Sequence, residues 1–280
     1  PQMSQHGLAG GDSAMKRASE YRRLARISMG RQMGTMAATG FMRSMVDSLV
    51  GIVLMFVLFV GLVLLGIQTV ALASSGYGAA VIILTLFALV ITLLVVAAGA
   101  LFWLLEGGLI QQAHHAVHGR KVSMTDLFSG FTGGLAWRLI VIGLFNLLMT
   151  LFFAVPYVIA VFVSSSADDF TLLEAGAVVG AYLWYMAGIL LIFLLFGLAP
   201  YILVDQPHLG AVQCMKQSLI LTKKRRFRLF CLCCSFIGWY ILGGISYGIG
   251  MFWILPYVRC AFYHFYEDLK SEKLSGTPIL

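Results

Sequence analysis

Between Asp47 and Glu106 the chain carries no Asp, Glu, Lys or Arg, and a cluster of turn formers, Ser74, Ser75, Gly76, Tyr77 and Gly78, falls midway along that run. A run this long is enough for two membrane helices of about 20 residues each. A lipid-embedded backbone must close its hydrogen bonds within helices and can reverse only near an interface, so the cluster predicts span one at 45–73 and span two at 79–105. Two further apolar stretches predict span three at 135–163 and span four at 172–204, the latter interrupted only by Glu174. Both exceed the length of a perpendicular helix, so tilt is expected. The last run, 227–266, is too long for one helix and holds Gly243, Gly244, Ser246, Gly248 and Gly250. A split at 243–247 gives two shorter spans. The pattern therefore predicts an all-α, polytopic transmembrane helical bundle of about six spans in three hairpins, with amphipathic cytoplasmic helices between them. The membrane domain is 45–268, between a basic arm at 1–44 and a tail at 269–280. Residues 1–12, Gly-rich and without periodicity, are predicted to be disordered.

Composition removes the soluble alternatives. Hydrophobic residues make up 60% of the chain and charged residues 11%, with a mean hydropathy of +0.91, whereas soluble domains carry about 25% charge. Little chain remains for a catalytic head. The 19 Lys and Arg fall in four groups, in the arm, at 120–138, at 216–228 and from Arg259 onward. Cations stay on the cytoplasmic side of a span, so six spans with both termini cytoplasmic leave every outer turn without one. The first apolar run is far longer than the h-region of a signal peptide, so span one is expected to be retained. The net charge of +7 then faces the cytoplasmic leaflet, where anionic phospholipid is the expected partner. Lys223, Lys224, Arg225, Arg226 and Arg228 are its densest cluster. No nucleic-acid module is recognisable.

The cytoplasmic connections read as short interfacial helices. Ser123 and Asp126 have the spacing of a capping box, and Leu127, Phe128 and Phe131 supply an apolar face. Downstream, Leu209, Val212, Met215 and Leu219 recur at helical spacing behind Pro207, where Asp205 stands as a helix cap. Thr39-Gly40-Phe41-Met42-Arg43 before span one parallels Ser129-Gly130-Phe131 with Arg138 before span three. Three such units would imply a pseudo-threefold axis along the membrane normal.

Asp126-Leu127-Phe128-Ser129-Gly130-Phe131, Asp205-Gln206-Pro207 with Ser218, Ser235-Phe236-Ile237-Gly238-Trp239, Pro256-Tyr257 and Phe262-Tyr263 with Phe265-Tyr266 together resemble the bacterial membrane family called domain of unknown function 975. The resemblance covers about 120–268 and departs from the family at Pro156-Tyr157. It implies a multi-pass protein of the bacterial cytoplasmic (inner) membrane and carries no activity, cofactor or mechanism.

Candidate chemistry is sparse. His114 and His118 share a helical face, but companion metal ligands are missing. Cys231, Cys233 and Cys234 read as small packing residues rather than a redox, metal or lipidation site. No nucleophile elbow, phosphate loop or zinc-protease helix is present, so neither enzyme, metal nor cofactor is expected. Polar groups at membrane depth are functional candidates by default: Asn146 in span three and Gln68 in span one, bonding across helices; Asp205; Ser235, bonding back to Cys231; and Arg259, snorkelling to the inner surface. Arg43 and Asp47 have the spacing of a helical ion pair. Gly238 is expected to admit a neighbouring helix, and Pro256 to bend span six. The expected function is a non-enzymatic membrane scaffold or accessory subunit contacting anionic lipid, a membrane-protein partner or a second copy. The alternative is a small transporter or channel-like carrier with a cavity near Asn146, Pro156 and Pro200.

Overall fold

In the computed structural model, residues 16–71, 77–165 and 171–274 are described, except for the side chains of 31, 62, 64–84 and 274. The N-terminal stretch, the predicted first reversal at 74–76, the acidic turn at 168–169 and the Gln68 side chain lie outside these. The described chain is helical throughout: α1 (Ala18–Met29), α2 (Met33–Ala71), α3 (Tyr77–Val117), a 3-10 turn (Met124–Phe131), α4 (Gly133–Ser165), α5 (Leu172–Phe196), α6 (Ala199–Asp205), α7 (Ala211–Thr222), α8 (Arg226–Cys234), α9 (Ile237–Ile245) and α10 (Met251–Leu274). Among the described residues, five stretches are long and apolar enough to cross a membrane, the fifth being α8 with α9 (Arg226–Ile245). The predicted sixth, ending at 266, falls in α10, a helix that runs on through Glu267, Asp268, Lys270, Glu272 and Lys273, and is not among them.

The helices outrun the hydropathy bounds. Both α2 and α3 begin or end well inside the polar segments, because their polar ends are covered by other helices rather than by lipid. Span four breaks at Gly197 into α5 and α6, where Pro200 enters the first turn of α6, a position that needs no amide hydrogen bond.

α2 and α3 run antiparallel to each other, with Thr39 bonded to Gln112 and Gly61 beneath Phe87. α4 joins α3 near their polar ends, where Gly107 meets Leu139 and Gly143 meets Trp103. α5 returns along α4, Gly188 facing Phe153. Among the described residues, no side chain of α2 from Ser44 to Val60, of α3 from Thr85 to Trp103, of α4 beyond Gly143 or of α5 before Gly188 is buried. The long apolar parts of the two hairpins therefore stand apart as two prongs.

The packed core lies at the other, basic end. Its centre is α10, whose Tyr257, Cys260, Ala261, Tyr263, Phe265 and Tyr266 are buried against α1, α3, α6 and α7. α1 lays Tyr21, Ala25 and Met29 on α10. The 3-10 turn packs as tightly on α3: a Cβ at Gly108 would clash with the Leu127 carbonyl, and one at Gly130 with that of Leu104.

The third hairpin is unlike the first two. Phe252, at the start of α10, packs edge-on against Phe41 with ring centroids 5.2 Å apart, and its carbonyl lies 3.4 Å from where a Cβ at Gly40 would stand. The hairpin tip at 246–250 thus sits beside the first third of α2. From Arg43 to Ala71, α2 runs on for another 28 residues, about 42 Å at the α-helical rise. The expected pseudo-threefold arrangement fails at this third unit, whose second arm, the apolar start of α10, is too short to match the others.

Candidate functional site

Where the two prongs meet the base, three charged side chains from three helices converge. Glu106 of α3 accepts a two-pronged contact from Arg259 of α10, Nε to Oε1 at 2.9 Å and Nη2 to Oε2 at 2.8 Å. Arg43 of α2 donates Nη1 to the same Oε2, donates Nε to Asp47 at 3.2 Å, and lies 4.4 Å from the Phe102 ring centroid. The Arg43 and Arg259 side chains are 7% and 11% exposed, that of Glu106 19%. Removing such charges from water is tolerated only when each is paired with good geometry, and the planar guanidinium fork matches a carboxylate in two places at once.

The sequence reading of Arg259 is corrected here, since it turns inward to Glu106 instead of snorkelling. Glu106 itself escaped notice as the charge that ends an apolar run. Its signal was faint: a single acid, following 58 residues without charge, on a helix that continues for another eleven.

Beside this triad, α3, α5, α6, α8, α9 and α10 line a half-open cavity of about 230 Å³. Arg259, Glu106, Tyr201 and Tyr240 form its polar part, and Phe193, Phe236 and Phe262 its aromatic wall.

Below it, the charged end of α10 is tied down on every side. Asp205 accepts from Tyr266 Oη at 2.8 Å and from Lys270 Nζ at 2.6 Å. It therefore closes α6 and does not cap α7, whose N-terminal cap is Gly210. Asp268 accepts from Lys16 Nζ at 2.7 Å and from Tyr21 Oη at 2.8 Å. Burial, then the Asp268 carboxylate, hold the Tyr21 phenol above its ordinary range, so it stays a neutral donor. Arg225 pairs with Glu272, and Ser28 bonds His264 at 2.8 Å.

The remaining expected residues separate. His114 bonds Tyr263 and stacks near His118 with centroids 4.4 Å apart, while His115 bonds Asp126 at 3.0 Å. Among the described residues no group of three metal-ligating side chains forms. The capping box exists: the Ser123 amide donates to Asp126 at 2.9 Å, although the Ser123 hydroxyl accepts from Thr125, because the turn winds as a 3-10 helix. Asn146 bonds its own helix, to the Ile142 carbonyl at 2.8 Å, not a neighbour. The Ser235 hydroxyl reaches the Leu232 carbonyl at 2.7 Å rather than that of Cys231, because α8 ends there. A Cβ at Gly238 would meet open space, so no helix approaches it. On α7 the buried stripe is Ala211, Cys214, Met215, Ser218 and Thr222, with Val212 facing out. Burial pushes the Cys214 thiol up to about 11, which leaves it a packing group. In the basic cluster, Lys223, Lys224 and Arg228 are exposed beside Phe227, while Arg225 is committed to Glu272 and Arg226 is half-buried.

No curated protein and no solved structure matches the chain. Residues 101–273 match the family described as "Protein of unknown function (DUF975)", a region holding Glu106, Arg259, the cavity, both α4 and α5, and most of the base. On that match, over more than half of its length, the chain belongs to this family.

Proposed function

We propose that this multi-pass protein is a non-enzymatic scaffold of the bacterial cytoplasmic membrane, with both termini and the packed base on the cytoplasmic side. The two prongs anchor it, and the base holds an anionic membrane surface or a partner against that surface. The triad then lies at the inner interface, about 42 Å from the end of α2, close to the thickness of a whole bilayer with its headgroups. The third hairpin rises only about 12 Å above Arg259, the eight residues back to Met251. It would dip into the inner leaflet and return, which keeps the C-terminus inside as six full spans would.

One observation carries the scaffold reading over the carrier. The prongs enclose nothing: their described side chains share no buried polar path, and Thr92 and Asn146 bond backbone carbonyls of their own helices. The charged groups converge at the base, where a substrate route across the bilayer would need them at mid-depth.

Extraction in mild detergent tests this. Several anionic lipids or a stoichiometric membrane partner should copurify, and reversing Lys223, Lys224 and Arg228 to Glu should release the partner, or all but one of the lipids. Partner-free protein that moves a solute across reconstituted vesicles would refute the scaffold.

A further inference from the structure

We infer that the cavity beside the triad is a binding site for the phosphate headgroup of one anionic phospholipid drawn from the inner leaflet.

Its polar wall is made of donors. Arg259 spends Nε and Nη2 on Glu106, and among the described residues its Nη1 and the hydroxyls of Tyr201 and Tyr240 have no hydrogen-bond partner. The carboxylate there is turned to the arginines, Glu106 Oε1 receiving Arg259 and Oε2 receiving both. Arg43 is shared with Asp47, so the charges around the floor balance, and what the cavity is offered is the spare guanidinium N–H of Arg259 beside two hydroxyls. A group that fills this space must bring acceptors and must not set a second cation beside Arg259, and a guanidinium N–H with two hydroxyl donors meets an anionic phosphate.

The rest of the lining selects a lipid over free phosphate. Phe193, Phe236, Leu255, Val258 and Phe262 give no partner to a hydrated ion, and the helices flanking the cavity continue upward with Ile189, Ile241 and Leu242 exposed. Those surfaces suit acyl chains running alongside α5 and α9. The volume of about 230 Å³ admits a headgroup and not a whole lipid. The inference rests on the membrane placement proposed above, yet the binding it asserts is measured without reference to orientation.

The test is native mass spectrometry of the full chain in mild detergent, titrated with phosphatidylglycerol, phosphatidylcholine or inorganic phosphate. One phosphatidylglycerol should be retained about tenfold more strongly than phosphatidylcholine. The double variant Tyr201→Phe, Tyr240→Phe should weaken it about a hundredfold or more, because two hydrogen bonds to a charged group are lost. Cys233→Phe, which fills the cavity, should abolish it. The tyrosine variant leaves the triad intact, so it reports on the site even where the filled cavity lowers stability. Equal retention of both lipids, undiminished binding by the tyrosine variant, or displacement by millimolar phosphate would each overturn the assignment. Loss of the lipid on reversing Lys223, Lys224 and Arg228, with the cavity untouched, would place it on the outer cluster instead and equally overturn it.

Discussion

Replacing Glu106 with Leu would leave Arg43 and Arg259, 7% and 11% exposed, facing each other without their shared counter-charge. Three contacts go at once: two from Arg259 and one from Arg43. Breaking a buried pair by removing one partner costs about 3–5 kcal/mol, most of it the burial of an uncompensated charge. Arg43 keeps Asp47, but that contact is 3.2 Å long and Asp47 is 42% exposed, so it offsets little. Arg259→Leu removes the two-pronged partner and leaves Glu106 with Arg43 alone, an expected loss of about 3 kcal/mol. The double variant removes the strongest pair entirely and leaves Arg43 with Asp47 and the Phe102 face. It should therefore be more stable than either loss summed, with a coupling of about 2 kcal/mol or more. The assay is a thermal unfolding cycle of the four proteins in one detergent at 50 mM and 500 mM salt. The coupling should survive high salt, since buried charges are screened weakly. Additive losses, or a Glu106→Leu protein as stable as the parent, would refute the triad as the joint between prongs and base.

Three further outcomes follow from the packing. Gly130→Ala should lower thermal stability by about 1–3 kcal/mol, since its Cβ meets the Leu104 backbone and not a movable side chain, whereas Gly238→Ala, facing open space in a helix, should be neutral or slightly stabilising. Asp205→Asn should weaken the attachment of α10 to α6 by about 1–2 kcal/mol, through the contacts with Tyr266 and Lys270, and should be read as faster hydrogen exchange in the last turns of α10. Reversing Lys223, Lys224 and Arg228 to Glu should abolish salt-sensitive flotation of the protein with phosphatidylglycerol vesicles, while Arg225→Gln should change flotation little and stability more, because its partner is Glu272.

Much of the fold was legible because hydropathy reports length directly. The uncharged stretch after Asp47 and the turn formers midway along it mark the first hairpin, and the capping-box pattern at Ser123 marks a turn the structure contains. The site was legible only in pieces. Arg43 and Asp47 announce themselves by spacing, but the partner that matters to Arg43 is 63 residues away, a distance no local pattern spans. Arg259 reads as a lone cation because the carboxylate that holds it is 153 residues off. Gly238 and Asn146 misled for the complementary reason: a small or polar residue in an apolar helix signals close contact only if a neighbour is there, and among the described residues that face of α9 has none while Asn146 turns to its own helix. The depth proposed for the third hairpin has no local signal either, since two short apolar helices read alike whether they cross a bilayer or stop at its middle.

The depth of that hairpin decides the account, and accessibility to a membrane-impermeant thiol reagent in intact cells measures it. Single cysteines at Leu172, Gly248 and Ser271 would be introduced after replacing the native Cys231, Cys233 and Cys234, the buried Cys214 and Cys260 staying in place. With the base in the cytoplasm and the third hairpin returning within the inner leaflet, Leu172→Cys labels from outside, Ser271→Cys labels only after permeabilisation, and Gly248→Cys resists in both. Labelling of Gly248→Cys from outside would show a full crossing and contradict the re-entrant hairpin, and labelling of Ser271→Cys in intact cells would invert the whole arrangement.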